Sequence, residues 1–386
     1  MIREKQHPAP DTPLIVLLKL AGEQCNINCT YCFERRKPYE GSARFDGDLT
    51  EKALKTFAGH PVRVILHGGE PLLVGKRRMA EILRSIYASE VDVRGVGIQT
   101  NGLLLDPEWI GLFDEYFPEL DWGLSFDGPG QANSNRRDHS DRETHDGAVR
   151  ALKILADHGK RPGVISVINS AHVDVSPVEF FEPFHRVRDV ISGLSLVPCF
   201  DFTVKPRIWN SQSGARILQM MSVNGPEWAV SPEFYSQYVV SVMREWIARG
   251  DWRHYSLEPV VNVVGNITGN SRIARSTTFG FADENHVVTV YPNGRMGPHD
   301  RIENGQVGVM DLSPDPSSID RLLENTRTTH AAEWKDLLER CNGCSYWEFC
   351  RGGELHERRE MRKSDREDEY CASRMEIIDA VRSEIE

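Results

Sequence analysis

The chain has 386 residues, 40% hydrophobic and 27% charged, with a formal net charge of −11. This is ordinary globular composition, long enough for one large domain with a smaller one attached, and its acidic excess counts against a nucleic-acid binder. No apolar stretch reaches membrane-spanning length, and the N-terminus Met-Ile-Arg-Glu-Lys lacks a signal peptide's apolar core, so the expectation is a cytoplasmic protein with neither nucleic acid nor membrane as partner.

The apolar run 14–20 reads as a buried strand. Cys25, Cys29 and Cys32 follow it at C-x-x-x-C-x-x-C spacing, on the loop leaving its carboxyl end, where barrel and open-sheet enzymes place their chemistry. Three thiolates on so short a loop can hold three corners of a [4Fe–4S] cubane and leave the fourth iron open. The alternative is zinc, which favours C-x-x-C pairs and a closed set of four ligands; no fourth Cys or His follows closely. Clustered cysteines without a secretion signal suit metal chemistry better than disulfides.

After a polar region at 34–49, helical segments (50–57, 77–87, 107–113, 144–158, 177–185) alternate with apolar strands (62–66, 93–98, 120–124, 163–168, 193–198). That alternation implies right-handed crossovers and a parallel sheet, a partial (β/α)6 TIM-like barrel rather than a closed eight-stranded one. Polar motifs recur where strands end: His67-Gly68-Gly69-Glu70-Pro71, Gln99-Thr100-Asn101-Gly102 and Ser125-Phe126-Asp127-Gly128-Pro129. Gly68 and Gly69 let the backbone approach a ligand closely, and their carbonyls with Glu70 can accept hydrogen bonds from an ammonium group.

The three-cysteine loop, with Tyr31 before its last Cys, resembles the signature of radical S-adenosylmethionine (SAM) enzymes. The resemblance implies that the open iron chelates SAM, and that one electron releases a 5′-deoxyadenosyl radical. It places Gly68, Gly69 and Glu70 at the methionine amino group, and Ser125 and Arg136 at the carboxylate and ribose. Tyr31 lies near the adenine, and Thr100 and Asn101 join the cofactor-binding set. Arg137 rivals Arg136, since spacing alone does not separate them. Strand-end capping is the plainer account of Ser125 and Thr100, and a surface ion pair that of Arg136.

Cys199 stands alone after a strand, as a small buried hydrophobe or a catalytic thiol. The phrase around it, Pro198-Cys199-Phe200-Asp201, is similar to a barrel-wall stretch of sulfatase-maturing radical SAM enzymes. Residues 202–225 read as an insertion near the barrel mouth. Residues 233–249 form an amphipathic helix packed through Tyr235, Tyr238, Val239, Val242 and Trp246, and 287–291 form a strand with a hairpin turn at Pro292-Asn293-Gly294.

Cys341, Cys344, Cys350 and Cys371 can close a second cluster completely, or hold structural zinc. The pattern C-x2-C-x5-C with a distant Cys, and the text Cys350-Arg351-Gly352-Gly353, resemble the tail of a SPASM domain, the accessory iron–sulfur domain of radical SAM peptide maturases. Where that family has its next Cys this chain has Glu354, and the family's Pro-Cys-Asp is here Pro298-His299-Asp300. One auxiliary [4Fe–4S] cluster is therefore expected, not two. The resemblance makes Asp300 a catalytic base; a turn aspartate is the alternative. The basic run Arg358, Arg359, Arg362, Lys363, interleaved with Glu357 and Glu360, reads as a solvated helix face.

The expected domains are a radical SAM barrel over 1–230, a helical connector over 231–285 and a SPASM-like domain over 286–386. The expected activity is radical oxidation of a ribosomally made peptide side chain, including crosslinking, with an external electron donor of flavodoxin or ferredoxin type. Two alternatives are formylglycine formation on a sulfatase and oxidation or rearrangement of a small sugar or amino acid. The lack of an N-terminal extension suited to leader-peptide binding favours the small molecule.

Overall fold

In a computed structural model of the protein, the described residues are 12–34, 43–200, 209–210, 216–217, 227–270, 279, 286–300, 309–315 and 317–386. The expected insertion at 202–225 lies largely outside them.

The fold is laid out on apolar strands that pair in the order they leave the sequence. β1 (Leu14–Lys19), β2 (Val62–His67), β3 (Val93–Thr100), β4 (Asp121–Ser125), β5 (Gly163–Ile168) and β6 (Gly193–Pro198) form consecutive parallel pairs. Between them run α1 (Gly47–Thr56), α2 (Lys76–Tyr87), α3 (Pro107–Tyr116), α4 (His145–Asp157) and α5 (Pro177–Arg186). The expected parallel α/β architecture holds. Helix starts are written locally: Asp106, Ser176 and a further cap, Ser231, each accept from a first-turn backbone N–H and are each followed by a proline. Ser231 opens α6 (Pro232–Ala248), whose Tyr235, Tyr238, Val239, Val242 and Trp246 are buried as its pattern predicts.

Two short strands, β7 (Trp209–Asn210) and β8 (Arg216–Ile217), pair with each other. The main sheet is longer at both edges than the six strands alone. β9 (Ser256–Glu258) pairs in parallel with β6, so the expected helical connector carries a strand besides α6 and α7 (Val260–Thr268). β10 (Val287–Val290) pairs in parallel with β1, then turns through Gly294 into β11 (Arg295–Gly297), which is followed by β12 (Met310–Asp311). The carboxyl-terminal segment thus enters the barrel's own sheet.

Beyond it lie helices Ser317–Leu337, Trp347–Cys350, Leu355–Lys363 and Glu367–Ile385. The last of these packs on α6 and α7, and Trp334, Leu337, Leu338, Trp347 and Leu355 make a small separate core around Cys341. Here one expectation is corrected. Arg358 is 1% exposed and Arg359 9%, so the first half of the basic run is not a solvated face, while Lys363 stays exposed. Arg358 and Arg362 bind Glu367, and Arg359 binds Glu333, which turns the helix's charged side inward. No helix among the described residues is long and apolar enough to cross a membrane.

Candidate active site at the carboxyl ends of the strands

The thiol loop is held by backbone on both sides. Gly69 N donates to Gly22 O at 2.8 Å and Glu70 N to Gln24 O at 2.9 Å. Asn28 N and Thr30 N donate to Arg137 O and Asn135 O at 2.6 and 3.0 Å. The two glycines of the His-Gly-Gly-Glu segment are explained by that first contact. Gly68 has φ +127°, and a Cβ on Gly69 would fall 2.0 Å from Gln24 O. What approaches the backbone here is the cysteine loop itself. A Gly69→Ala variant should therefore displace the loop, losing about 1–3 kcal/mol of stability and a measurable share of bound iron by colorimetric assay.

Glu70 is fully buried and ties β2 to β3. Its Oε1 accepts from Leu72 N at 3.0 Å and from Thr100 Oγ1 at 2.7 Å, and its Oε2 from Asn101 N at 2.8 Å. Burial pushes its carboxyl up, and those donors pull it back. Most of its acceptor positions are engaged within the protein. Asn101 Nδ2 donates to Asn26 Oδ1 at 2.8 Å and points at Cys25 Sγ from 3.6 Å.

On the other side of the loop, Tyr31 donates its hydroxyl to Asp127 Oδ2 at 2.6 Å and accepts from Arg136 Nη1 at 2.9 Å. Arg136 lies 3.7 Å from Asp127 Oδ1, and Asp127 also accepts from Asn169 Nδ2 and Val167 N. Burial raises the Asp127 carboxyl, against the pull of Arg136. Arg136 is 6% exposed, whereas Arg137 lies nearer the surface and bonds Ser134 O and Asp141 O. Ser125 accepts from Gln99 Nε2 at 2.8 Å. Cys199 is buried in the barrel wall, its backbone joined to Ile168 and Val230.

The three thiols share this pocket. Burial pushes Cys25 up to about 12, with Glu70, Cys29 and Cys32 adding to the rise, and pushes Cys29 up to about 11 against the pull of Arg136. Thiols this reluctant to ionise become good ligands when the bound group brings positive charge of its own, as iron does. Among the described residues no three Cys, His, Asp or Glu stand close enough to share a single ion. Three thiols on one loop are the donor chemistry that iron–sulfur cores take.

Sequence reading passed over a third constellation. Lys19, the last residue of β1, is 1% exposed; its Nζ donates to Glu34 Oε1 at 2.7 Å and to Asp300 Oδ2 at 2.5 Å. His67 Nδ1 is 3.4 Å from that ammonium, and His299 Nδ1 lies 3.1 Å from Asp300 Oδ1. Burial disfavours the ammonium, but Asp300 and Glu34 outweigh it and hold Lys19 above its ordinary value. The signal was available: a lysine closing an otherwise apolar strand. At the end of β9, Glu258 is a further carboxyl, pushed up to about 7 by burial.

Cys341, Cys344, Cys350 and Cys371 come together near the small C-terminal core; burial, with neighbouring thiols adding to it, makes Cys341 and Cys371 harder to ionise. Burial would raise Cys350, but Arg374 prevails and leaves its thiol below the ordinary value. Glu354 is 3% exposed, its N–H donating to the Tyr370 hydroxyl at 3.3 Å.

The chain is similar to known proteins in sequence and in fold. Residues 21–173 match the radical SAM superfamily. The chain is 22% identical over 374 residues to the serine-type anaerobic sulfatase-maturating enzyme of Klebsiella aerogenes, covering 90% of this chain and 80% of that one. It is 26% identical over 253 residues to the serine-type enzyme of Bacteroides thetaiotaomicron, covering 61% of this chain and 58% of that relative's length. The solved structure of native anSMEcpe with bound AdoMet superposes with a TM-score of 0.76 at 20% identity, covering 96% of this chain and 98% of the other. Streptococcus suis SuiB bound to S-adenosylmethionine gives 0.53 at 13% identity, covering 89% and 73%. At these identities the solved structures speak for the fold.

Proposed function

We propose, from the match of residues 21–173 to the radical SAM superfamily, that the protein is a radical SAM enzyme that oxidatively modifies a side chain of a ribosomally made peptide. Cys25, Cys29 and Cys32 hold a [4Fe–4S] cluster, which with bound SAM supplies a 5′-deoxyadenosyl radical. The chain's own residues do the rest. Glu70, Thr100 and Asn101 fix the inner wall beside Cys25, and Gly68 and Gly69 anchor the loop. Tyr31 and Arg136, braced by Asp127, fix the outer wall, with Ser125 at the next strand end. Buried walls of this kind exclude water while a radical is present.

The observation that carries the reading is Asp300. It is a buried carboxylate, held by Lys19 from the very strand that feeds the thiol loop. In this reading Asp300 takes the proton that a substrate releases once hydrogen has been abstracted and an electron withdrawn. Cys341, Cys344, Cys350 and Cys371 would hold one auxiliary cluster, which could supply an acceptor for that electron, and the N-terminal site would draw on a flavodoxin- or ferredoxin-type donor. After anaerobic reconstitution the protein should contain about eight irons per chain; about twelve would overturn the single auxiliary cluster. Asp300→Asn should still abstract hydrogen, read as 5′-deoxyadenosine, while product falls to background. Unchanged product would remove Asp300 from the chemistry.

Formylglycine formation is the second reading, favoured by the similarity to sulfatase-maturating enzymes of Klebsiella and Bacteroides. Incubation with serine- and cysteine-type sulfatase peptides, followed by mass spectrometry, separates it from crosslinking. Conversion to an aldehyde selects this reading; intact peptides with SAM cleavage retained count against it.

A further inference from the structure

Two guanidinium groups are buried among the C-terminal thiols. Arg374, 3% exposed, donates from Nε to Cys350 Sγ at 3.1 Å and from Nη2 to the Cys350 carbonyl at 2.8 Å, and its guanidinium lies 3.8 Å over the Phe279 ring. Arg358, 1% exposed, donates from Nη1 to Gly352 O at 2.8 Å and from Nε to Glu367 Oε1 at 3.1 Å. Its Nη2 is 3.0 Å from that same oxygen but makes no aligned hydrogen bond, while the group acts on the Cys341 thiol. Glu367 is shared with Arg340 and Arg362, so it meets the Arg358 charge only in part.

Cations buried beside neutral thiols are costly. Beside thiolates that hold an iron–sulfur core they are well matched, because such a core with four thiolates carries net negative charge. Reduction adds one more negative charge. A fixed cation, and a hydrogen bond to a ligating sulfur, stabilise the reduced form more than the oxidised one and raise the potential.

We infer that Arg374, with Arg358 behind it, sets the reduction potential of the C-terminal iron–sulfur group, keeping it high enough to accept the electron left over by the oxidative step. The inference rests on the reading of these four cysteines as a cluster site. Arg374 acts through Cys350 and is a positioning residue, not a catalytic one.

The test is a potentiometric titration followed by electron paramagnetic resonance, on full-length reconstituted protein. Signals are assigned by comparison with a Cys29→Ala background. Arg374→Gln should lower the equilibrium constant for one-electron reduction of the C-terminal group at least tenfold, about 59 mV, and leave the N-terminal midpoint in place. Arg374→Lys, which keeps the charge, should move it less, and Arg358→Gln should shift it in the same direction as Arg374→Gln. A C-terminal midpoint unchanged in Arg374→Gln, or both midpoints moving together, overturns the inference. Loss of the group from all three variants would make the arginines scaffolding and overturn it as well. If the wild type itself holds only about four irons, the cluster reading fails. If it holds about eight and the midpoint does not respond, only the role of the arginines fails.

Discussion

Cys29→Ala, reconstituted and reduced without oxygen, is expected to release no 5′-deoxyadenosine from SAM above background, while Cys344→Ala retains cleavage. The contrast follows from where the two thiols sit. Cys29 is 7% exposed, at the middle of the N-terminal loop. That loop is pinned by groups other than its sulfur: Asn28 N to Arg137 O, Thr30 N to Asn135 O, and a bridge between Ile27 and Asp138. The variant should therefore keep its fold and lose its chemistry, with a circular dichroism spectrum and melting temperature close to those of the metal-free parent. Cys344 belongs to the separate C-terminal set, so its loss should lower iron content and product formation ahead of SAM cleavage. Equal loss of cleavage in both variants would contradict this division of labour.

Lys19→Met is expected to destabilise the protein by about 3–5 kcal/mol, because it leaves the Asp300 and Glu34 carboxylates buried without their shared cation. Denaturant unfolding measures the loss. A Lys19→Met/Asp300→Asn double variant should recover part of it, since the two substitutions act on one contact. Loss below about 1 kcal/mol in the single variant would mean that the ammonium is not what holds the two carboxylates. The same pair predicts an alkaline limit. Lys19 is held above its ordinary value in the folded protein, so the folded state binds the proton more tightly than the unfolded one. Its contribution is complete below the unfolded value of about 10.4 and is lost as pH rises further. In Lys19→Met this part of the alkaline decline should be absent.

Much of the barrel could be read from apolar runs alone. β5 and β6 begin and end where their hydrophobic stretches do, and the cap-plus-proline starts of α3, α5 and α6 are short-range signals. The three-cysteine loop was legible for the same reason: its ligands are neighbours in sequence. What was missed is how distant pieces join, not Tyr31, Arg136 or Asp300 themselves. The Tyr31–Asp127–Arg136 set joins three segments, and the Lys19–Asp300 contact spans 281 positions. β9 has three residues, too few for a periodicity to show. The basic run was misread because alternating charges look the same whether they face water or, like Arg358, a buried Glu367. That a backbone must come close at the glycines before Glu70 was legible; that the cysteine loop is one such neighbour was not.

The outer strands of the main sheet carry a practical consequence. β10 covers one flank of β1, and β9 covers one flank of β6. A fragment cut at residue 230 would bare two rows of unsatisfied amide and carbonyl groups at once, an open template for pairing with further copies. Such a piece should precipitate or multimerise, and attempts to study the catalytic half by itself would report on aggregates instead of on the enzyme.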